Sequence, residues 1–465
     1  MDLGTRHTKP MIYGKSIYGQ LLFLVLALLF LSSHDVLASD VPQMKAKLQY
    51  VNGIEKVDLL NELSSAVWDN DREEAFGFAE LAAGEAEKLG YENGRAKAIK
   101  NMGVVKYLTG DYENAIAYYQ QAFSIYSSLG DKTGMGACNH NLALIYQLQG
   151  DYQKAMELYK KSLEIDMELG DEEGVAMSYH NIGDLYYYLA NYPLALDYFQ
   201  NALDIFTRLD NKSKMSELIV NIAAVYEING DIGQAIYRNQ DALKIASETG
   251  NKWMEGMCLC NLGSNYIGLN EPDEALDYLI RAILVREEVD DKKGMLEVLQ
   301  LIGKAFEQKD LVDKAIDYYF QSLKYSEELD DKRNIAETFT LIGINLAFKK
   351  RYSDAVQYFM QSLEIAEEIG ARAEIMENYH QLAMVWSSKN NYDSASYYIQ
   401  KYAILFDSIS GKNVPVEELK RQVLRSDKNP FETKIRNYRI VILIGSILVF
   451  VLAVLVVVLL RKKEL

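Results

Sequence analysis

Residues 136–173 read GACNHNLALIYQLQGDYQKAMELYKKSLEIDMELGDEE, and the same outline returns at a fixed interval, from starting points at 96, 176, 216, 256, 296, 336 and 376. One column is invariant: alanine stands at 115, 155, 195, 235, 275, 315, 355 and 395. Self-similarity at a fixed period of this size is the signature of a repeat architecture. It overrides the first impression given by length, since 465 residues would otherwise suggest about two to four separate domains.

Other columns keep step with the alanine. Gly103, Ala143, Gly183, Ala223, Gly263, Gly303, Gly343 and Ala383 form a second column that admits only small residues. An aliphatic residue or methionine precedes each, from Met102 and Leu142 to Leu382, and three positions beyond come Tyr146, Tyr186, Tyr226, Tyr266, Phe306 and Trp386. A spacing of i, i+1 and i+4 marks one buried face of a helix. Turn residues follow at Gly110-Asp111, Gly150-Asp151 and Gly230-Asp231. A second helical pattern then runs through the alanine column to Tyr119, Tyr159, Phe199, Tyr319 and Phe359. Each unit is therefore expected to be a helical hairpin, with the small columns where its two helices cross closely. One hairpin cannot bury its apolar faces alone, so the units must stack into a solenoid. Only six prolines, and 33 tyrosines filling recurrent slots, fit that picture.

The two ends read differently. Arg6, Lys9 and Lys15, the apolar run Leu21 to Leu31 and the small-residue site Val36-Leu37-Ala38 are arranged as a secretory signal peptide over 1–38. Residues 440–460, IVILIGSILVFVLAVLVVVLL, carry no charge. As a helix they would extend about 32 Å, enough to cross a hydrocarbon core of about 30 Å. Lys434, Arg436 and Arg439 flank this transmembrane segment on one side and Arg461, Lys462 and Lys463 on the other, so flanking charge does not orient it. The leader does, by exporting the body and leaving 461–465 as a cytoplasmic tail. The expected product is a single-pass membrane protein whose bulk is exported. The formal charge is −17; residues 1–39 carry +1 and residues 440–465 carry +2, which leaves −20 on residues 40–439. An exported body this acidic is a poor partner for nucleic acid. Cys138, Cys258 and Cys260 give no disulfide framework, because the last two stand two apart on one expected helix and point in different directions.

One polar column also repeats: Asn101, Asn141, Asn181, Asn221 and Asn261. Asparagine is a poorer helix former than alanine, so five in register need a reason. Each amide offers two donors and an acceptor. It can hold the backbone of an extended peptide laid across the helices, or bond to the neighbouring repeat and serve stacking alone. Lys97, His140, His180 and Asp184 lie beside the column as candidates for contact with a peptide side chain. Equivalent histidines on adjacent repeats stand on the order of 10 Å apart, too far to share one metal ion easily when ligand bonds are about 2 Å. The acidic pairs Glu287-Glu288, Glu327-Glu328 and Glu367-Glu368 read as solvated faces. No HExxH, GxSxG or GxGxxG occurs, and catalytic residues, metal and cofactor are all expected to be absent.

The small residue, the aromatic three on, Gly-Asp-Tyr, the alanine and the following aromatic together resemble the tetratricopeptide repeat. The usual unit there is 34 residues; linkers such as LGDKTG lengthen it to 40, which looks like the long-repeat branch typified by kinesin light chain. The resemblance implies an all-α, right-handed superhelical solenoid: a lead-in at 39–54, a degenerate capping repeat at 55–94, eight units over 95–414 and a polar helical stalk at 415–439. It places the asparagine slot in a concave groove where peptide-binding members hold a ligand backbone. The column turns to Leu301, Leu341 and Gln381 further on, which confines such a groove to the N-terminal repeats. Lys97, Asn101 and Asn141 fit the family's clamp for a C-terminal carboxylate; Met177 and Asn181, where cations belong, do not. The resemblance thus implies a membrane-tethered scaffold for proteins or extended peptides. The layout also resembles the exported sensor half of bacterial tetratricopeptide histidine kinases and regulators, on the periplasmic side of the inner membrane. That alternative needs a cytoplasmic or membrane signalling partner.

Overall fold

Caps and turns set the rhythm of the chain before any packing is considered. Asp131, Asp171, Asn211, Asn251, Asp291 and Asp331 each accept a hydrogen bond from the backbone N–H three positions on, and so start the first helix of a hairpin. Asp111, Asp151 and Asn191 do the same for second helices. Left-handed residues close the helices. Gly110, Gly130, Gly150 and Gly170 take that conformation, and where glycine is missing Ala190 (φ 56°) and Lys350 (φ 62°) adopt it.

The computed structural model describes residues 41–410, in which all regular structure is helical. These residues divide into two compact units, with the division between Ile245 and Ala246. The first contains α1 (Val41–Lys47), α2 (Gly53–Val67), α3 (Arg72–Leu89), α4 (Glu92–Leu108), α5 (Tyr112–Leu129), α6 (Lys132–Leu148), α7 (Tyr152–Leu169), α8 (Glu172–Tyr188), α9 (Tyr192–Arg208), α10 (Lys212–Ile228) and most of α11 (Ile232–Thr249). The second contains the end of α11, then α12 (Lys252–Gly268), α13 (Pro272–Glu288), α14 (Lys292–Gln308), α15 (Val312–Glu328), α16 (Lys332–Phe348), α17 (Tyr352–Glu368), α18 (Arg372–Ser388) and α19 (Tyr392–Ser410). Even-numbered helices from α2 onward open the hairpins and odd-numbered ones close them.

The alanine column is the tightest feature of the packing. Every member from Ala115 to Ala395 is fully buried, and Ala75 in α3 extends it one repeat toward the N-terminus. The glycine column is small for a more specific reason than helix crossing. A Cβ on Gly103 would lie 2.7 Å from the Tyr119 ring, on Gly183 2.6 Å from Phe199, on Gly263 2.5 Å from Leu279, and on Gly343 2.6 Å from Phe359. Each glycine makes room for the large side chain that the second helix of its hairpin drives inward. Tyrosines also pair between the two helices of a hairpin: Tyr186 stacks on Tyr198 and Tyr266 on Tyr278, both with centroids 5.4 Å apart.

The recurrent glutamates are exposed but not unpartnered. Lys252 lies 3.5 Å from Glu288, Lys292 3.0 Å from Glu328 and Lys332 2.5 Å from Glu368, each joining the start of the first helix to the end of the second helix of the same hairpin. Exposed pairs of this kind contribute about 0–1 kcal/mol each, so they set register more than stability. The three cysteines are buried and unpaired, and burial pushes the Cys138 and Cys258 thiols up to about 12. Among the described residues no helix is long and apolar enough to cross a membrane. The leader at 1–38, the stalk at 415–439, the apolar segment at 440–460 and the tail at 461–465 lie outside the described residues.

Candidate functional site

The first helices of the N-terminal unit lie side by side, and the asparagine column runs along their junctions. Asn101 on α4 is 2 % exposed and donates from Nδ2 to the Asn61 carbonyl of α2 at 3.0 Å. Asn61, one period earlier, is fully buried and donates to the Gly94 carbonyl at 3.0 Å. Asn181 on α8 reaches back to His140 Nδ1 on α6 at 3.4 Å, and Asn221 on α10 reaches back to His180 Nε2 at 2.8 Å. Of the two roles open to these amides, the stacking one is visible at Asn101, Asn181 and Asn221. Each spends a donor on the preceding repeat. Asn141 is partly exposed on α6, as are His140 beside it and Lys97 on α4; Asn261 lies in the second unit, on α12.

His180 and Asp184 are more deeply placed than their neighbours. His180 is fully buried, and its ring lies edge-on to Phe199 of α9 with centroids 5.9 Å apart. Asn221 donates to Nε2, so the imidazole proton sits on Nδ1. Nε2 is 3.6 Å from Asp184 Oδ2, beyond hydrogen-bond reach, and Nδ1 is 4.0 Å from Glu217 Oε1 on α10. Lys214, one turn before Glu217, places Nζ 3.0 Å from Glu217 Oε2. Burial holds His180 down at about 4, with Lys214 acting in the same direction and Glu217 against it. Burial, with Glu217 adding to it, lifts the Asp184 carboxyl well above the ordinary aspartate range. His140 is held at about 4 by burial first, then by Lys214 and His180. Among the described residues no group of three or more His, Cys, Asp or Glu side chains is set to hold a metal ion.

Glu217 and Lys214 complete the site and were not among the residues singled out from sequence. A signal existed: Glu217 occupies the slot four before the asparagine, the slot of Lys97 and Met177, and is the acidic member of that series in the first unit. The second unit buries its main charge elsewhere. Arg286 of α13 pairs with Asp291, and its guanidinium lies where a Cβ on Gly256 or Gly294 would stand, which explains both glycines structurally.

Stacked helical hairpins with a polar seam along the first helices make a binding scaffold, in which surfaces of successive repeats are available to a macromolecular partner. Tetratricopeptide repeat models match residues 94–168, 174–248 and 295–368, and a second model of the same repeat matches 256–289. Together they cover more than half of the chain, and the protein belongs to the tetratricopeptide repeat family. No curated protein is significantly similar in sequence. Among solved structures, a signal transduction ATPase with a tetratricopeptide repeat sensor from Pyrococcus horikoshii is 16% identical with a TM-score of 0.57, covering 78% of this chain and 55% of that one. The apo quorum sensor NprR from B. thuringiensis is 15% identical with a TM-score of 0.54, covering 76% and 99%. Kinesin light chain TPR-like repeats from Podosopora anserina are 17% identical with a TM-score of 0.37, covering 43% and 97%. At these identities the likeness to the first two is one of fold.

Proposed function

We propose that this protein is an exported, membrane-tethered tetratricopeptide scaffold that captures proteins or extended peptides on the first-helix face of its N-terminal unit. The observation that carries the reading is the seam itself: Lys97, His140 and Asn141 remain partly exposed beside a row of buried asparagines, each bonded to the preceding repeat. A rigid polar row beside accessible donors suits the recognition of a peptide backbone. The tether rests on the leader-like residues 1–38 and the charge-free segment 440–460.

Affinity capture by the full chain tests the binding face. Lys97→Ala with Asn141→Ala is expected to lose partners that the parent chain retains, at unchanged helicity. Equal recovery by the folded variant removes the proposal. In the same cells, a reporter active only outside the cytoplasm is expected to work when fused after residue 430 and to fail when fused after Leu465. The alternative, a sensor ectodomain that signals through a partner, predicts that the captured set includes a membrane or cytoplasmic signalling protein held through the C-terminal segment.

A further inference from the structure

The polar groups where α8 meets α10 do not satisfy one another. Asp184 is 1 % exposed and Glu217 2 %, and the cation that faces them is the single ammonium of Lys214, committed at 3.0 Å to Glu217 Oε2. Donors are short as well. Neither oxygen of Asp184, nor Glu217 Oε1, nor His180 Nδ1 has a hydrogen-bond partner among the described residues. His180 stands between the two carboxylates, 3.6 Å from one and 4.0 Å from the other, and is kept neutral by burial. The other groups facing this spot are neutral too: His140 on α6, Tyr159 on α7, Tyr188 on α8 and Phe199 on α9.

Buried carboxylates are ordinarily paired, and acceptors left without donors are costly. What would satisfy these three oxygens is one positive charge carrying several N–H donors in a small volume. That is the chemistry of a guanidinium or a primary ammonium. Lys214 is the member of the cluster that reaches solvent, with 18 % of its side chain exposed, so the cluster meets the surface on the first-helix face. We propose that Asp184 and Glu217, spaced by His180, form an anionic subsite on that face which receives a basic side chain of the bound peptide. The subsite rests on the peptide-binding reading above and adds to it the chemical class of one ligand side chain. Asp184 supplies two unpartnered acceptor oxygens and ionises against the incoming cation, Glu217 Oε1 is a third acceptor, and the Asn221 amide holds the imidazole that separates them.

The test titrates the full chain with Nα-acetyl-arginine amide, Nα-acetyl-lysine amide and Nα-acetyl-citrulline amide, by calorimetry and by the imidazole nitrogen signals of histidine-labelled protein. The arginine or lysine probe is expected to bind saturably and move the His180 signal. Citrulline, of the same shape without the charge, is expected to bind at least tenfold more weakly. Asp184→Asn with Glu217→Gln is expected to weaken the cationic probe at least tenfold at unchanged helicity. Glu113→Gln with Glu164→Gln, two exposed positions of the same unit, controls for the general acidity of the surface and is expected to leave binding within twofold. Equal affinity for arginine and citrulline amides, binding undiminished in the Asp184/Glu217 variant, or equal loss in the exposed-site control would each overturn the subsite. Partner capture that depends on Lys97 and Asn141 but not on Asp184 and Glu217 overturns the subsite alone. Binding of the arginine probe by a chain that captures no protein through this face supports the subsite and overturns the peptide reading.

Discussion

Substituting Gly303 by alanine sets two effects of known sign against each other. Alanine is favoured over glycine inside a helix by about 1 kcal/mol. Against it, the new Cβ would overlap the Tyr319 ring, lying 2.7 Å from Cζ and 2.9 Å from Cδ1. Overpacking of this kind costs about 1–3 kcal/mol. The ring is not free to slide: Tyr319 is fully buried, and its hydroxyl donates to Glu307 Oε1 at 2.7 Å, an oxygen that also accepts from Asn345 Nδ2 of the next hairpin. Loosening a hydrogen bond to a charged group adds about 1.5 kcal/mol, so Gly303→Ala is expected to destabilise by about 2 kcal/mol. Gly343→Ala isolates the second contribution. Its Cβ would come 2.6 Å from Phe359, a ring with no hydroxyl to anchor. The expected cost there is about 1 kcal/mol. The α6/α7 hairpin carries Ala143 opposite Tyr159 with a comparable bond, Tyr159 to Gln147 at 2.9 Å, which shows that ring and methyl coexist when a hairpin is built for both. The assay is hydrogen exchange of the α14 and α15 amides alongside urea unfolding, because a repeat array need not unfold in one step. Protection in α14 equal to or above the parent's in Gly303→Ala would mean that helix propensity wins, and would refute the reasoning.

Ala190 holds φ at 56°, where the other repeats place glycine, asparagine, aspartate or lysine. Ala190→Gly is therefore expected to raise stability by about 1 kcal/mol, read as a higher melting temperature; a lower one would count against strain at that turn. The His180 imidazole is held at about 4 against an ordinary 6.5, so the unfolded chain takes up its proton first as pH falls. Stability from this group is intact above about 6.5 and is lost between there and about 4, at up to about 1.4 kcal/mol per unit. Asp184, shifted upward, works in the opposite sense. The histidine contribution is therefore measured as the difference between parent and His180→Gln from pH 7 to pH 5, and parallel profiles would remove it.

Much of the fold was legible because its determinants are local or repeat at short range. The alanine that recurs from 115 to 395, the Asp or Asn caps and the Gly-Asp turns each restrict the chain locally, and repetition removes the ambiguity that any one of them carries. Even the pairing of small with large was written there. Glycine at 103, 183, 263, 303 and 343 is matched on the second helix by Tyr119, Phe199, Leu279, Tyr319 and Phe359, while Ala223 is matched by the smaller Asn239; Ala143 opposite Tyr159 and Ala383 opposite Ile399 depart from the pairing. The candidate site was legible only in part. The column of asparagines was visible, but its two possible partners, a ligand backbone or the preceding repeat, are equivalent for an isolated amide.

What the sequence alone determined, then, is the hairpin, its period and the family, since caps, turns and apolar periodicity act within one unit. The tertiary structure decided where side chains of successive hairpins meet. It turned Asn101, Asn181 and Asn221 toward the repeat before them, and it brought Glu217 and Lys214 of one hairpin to His180 and Asp184 of another. The reason is geometric. Such contacts depend on the angle and spacing at which one hairpin packs on the next, set by the summed shapes of buried side chains and not written in any single residue.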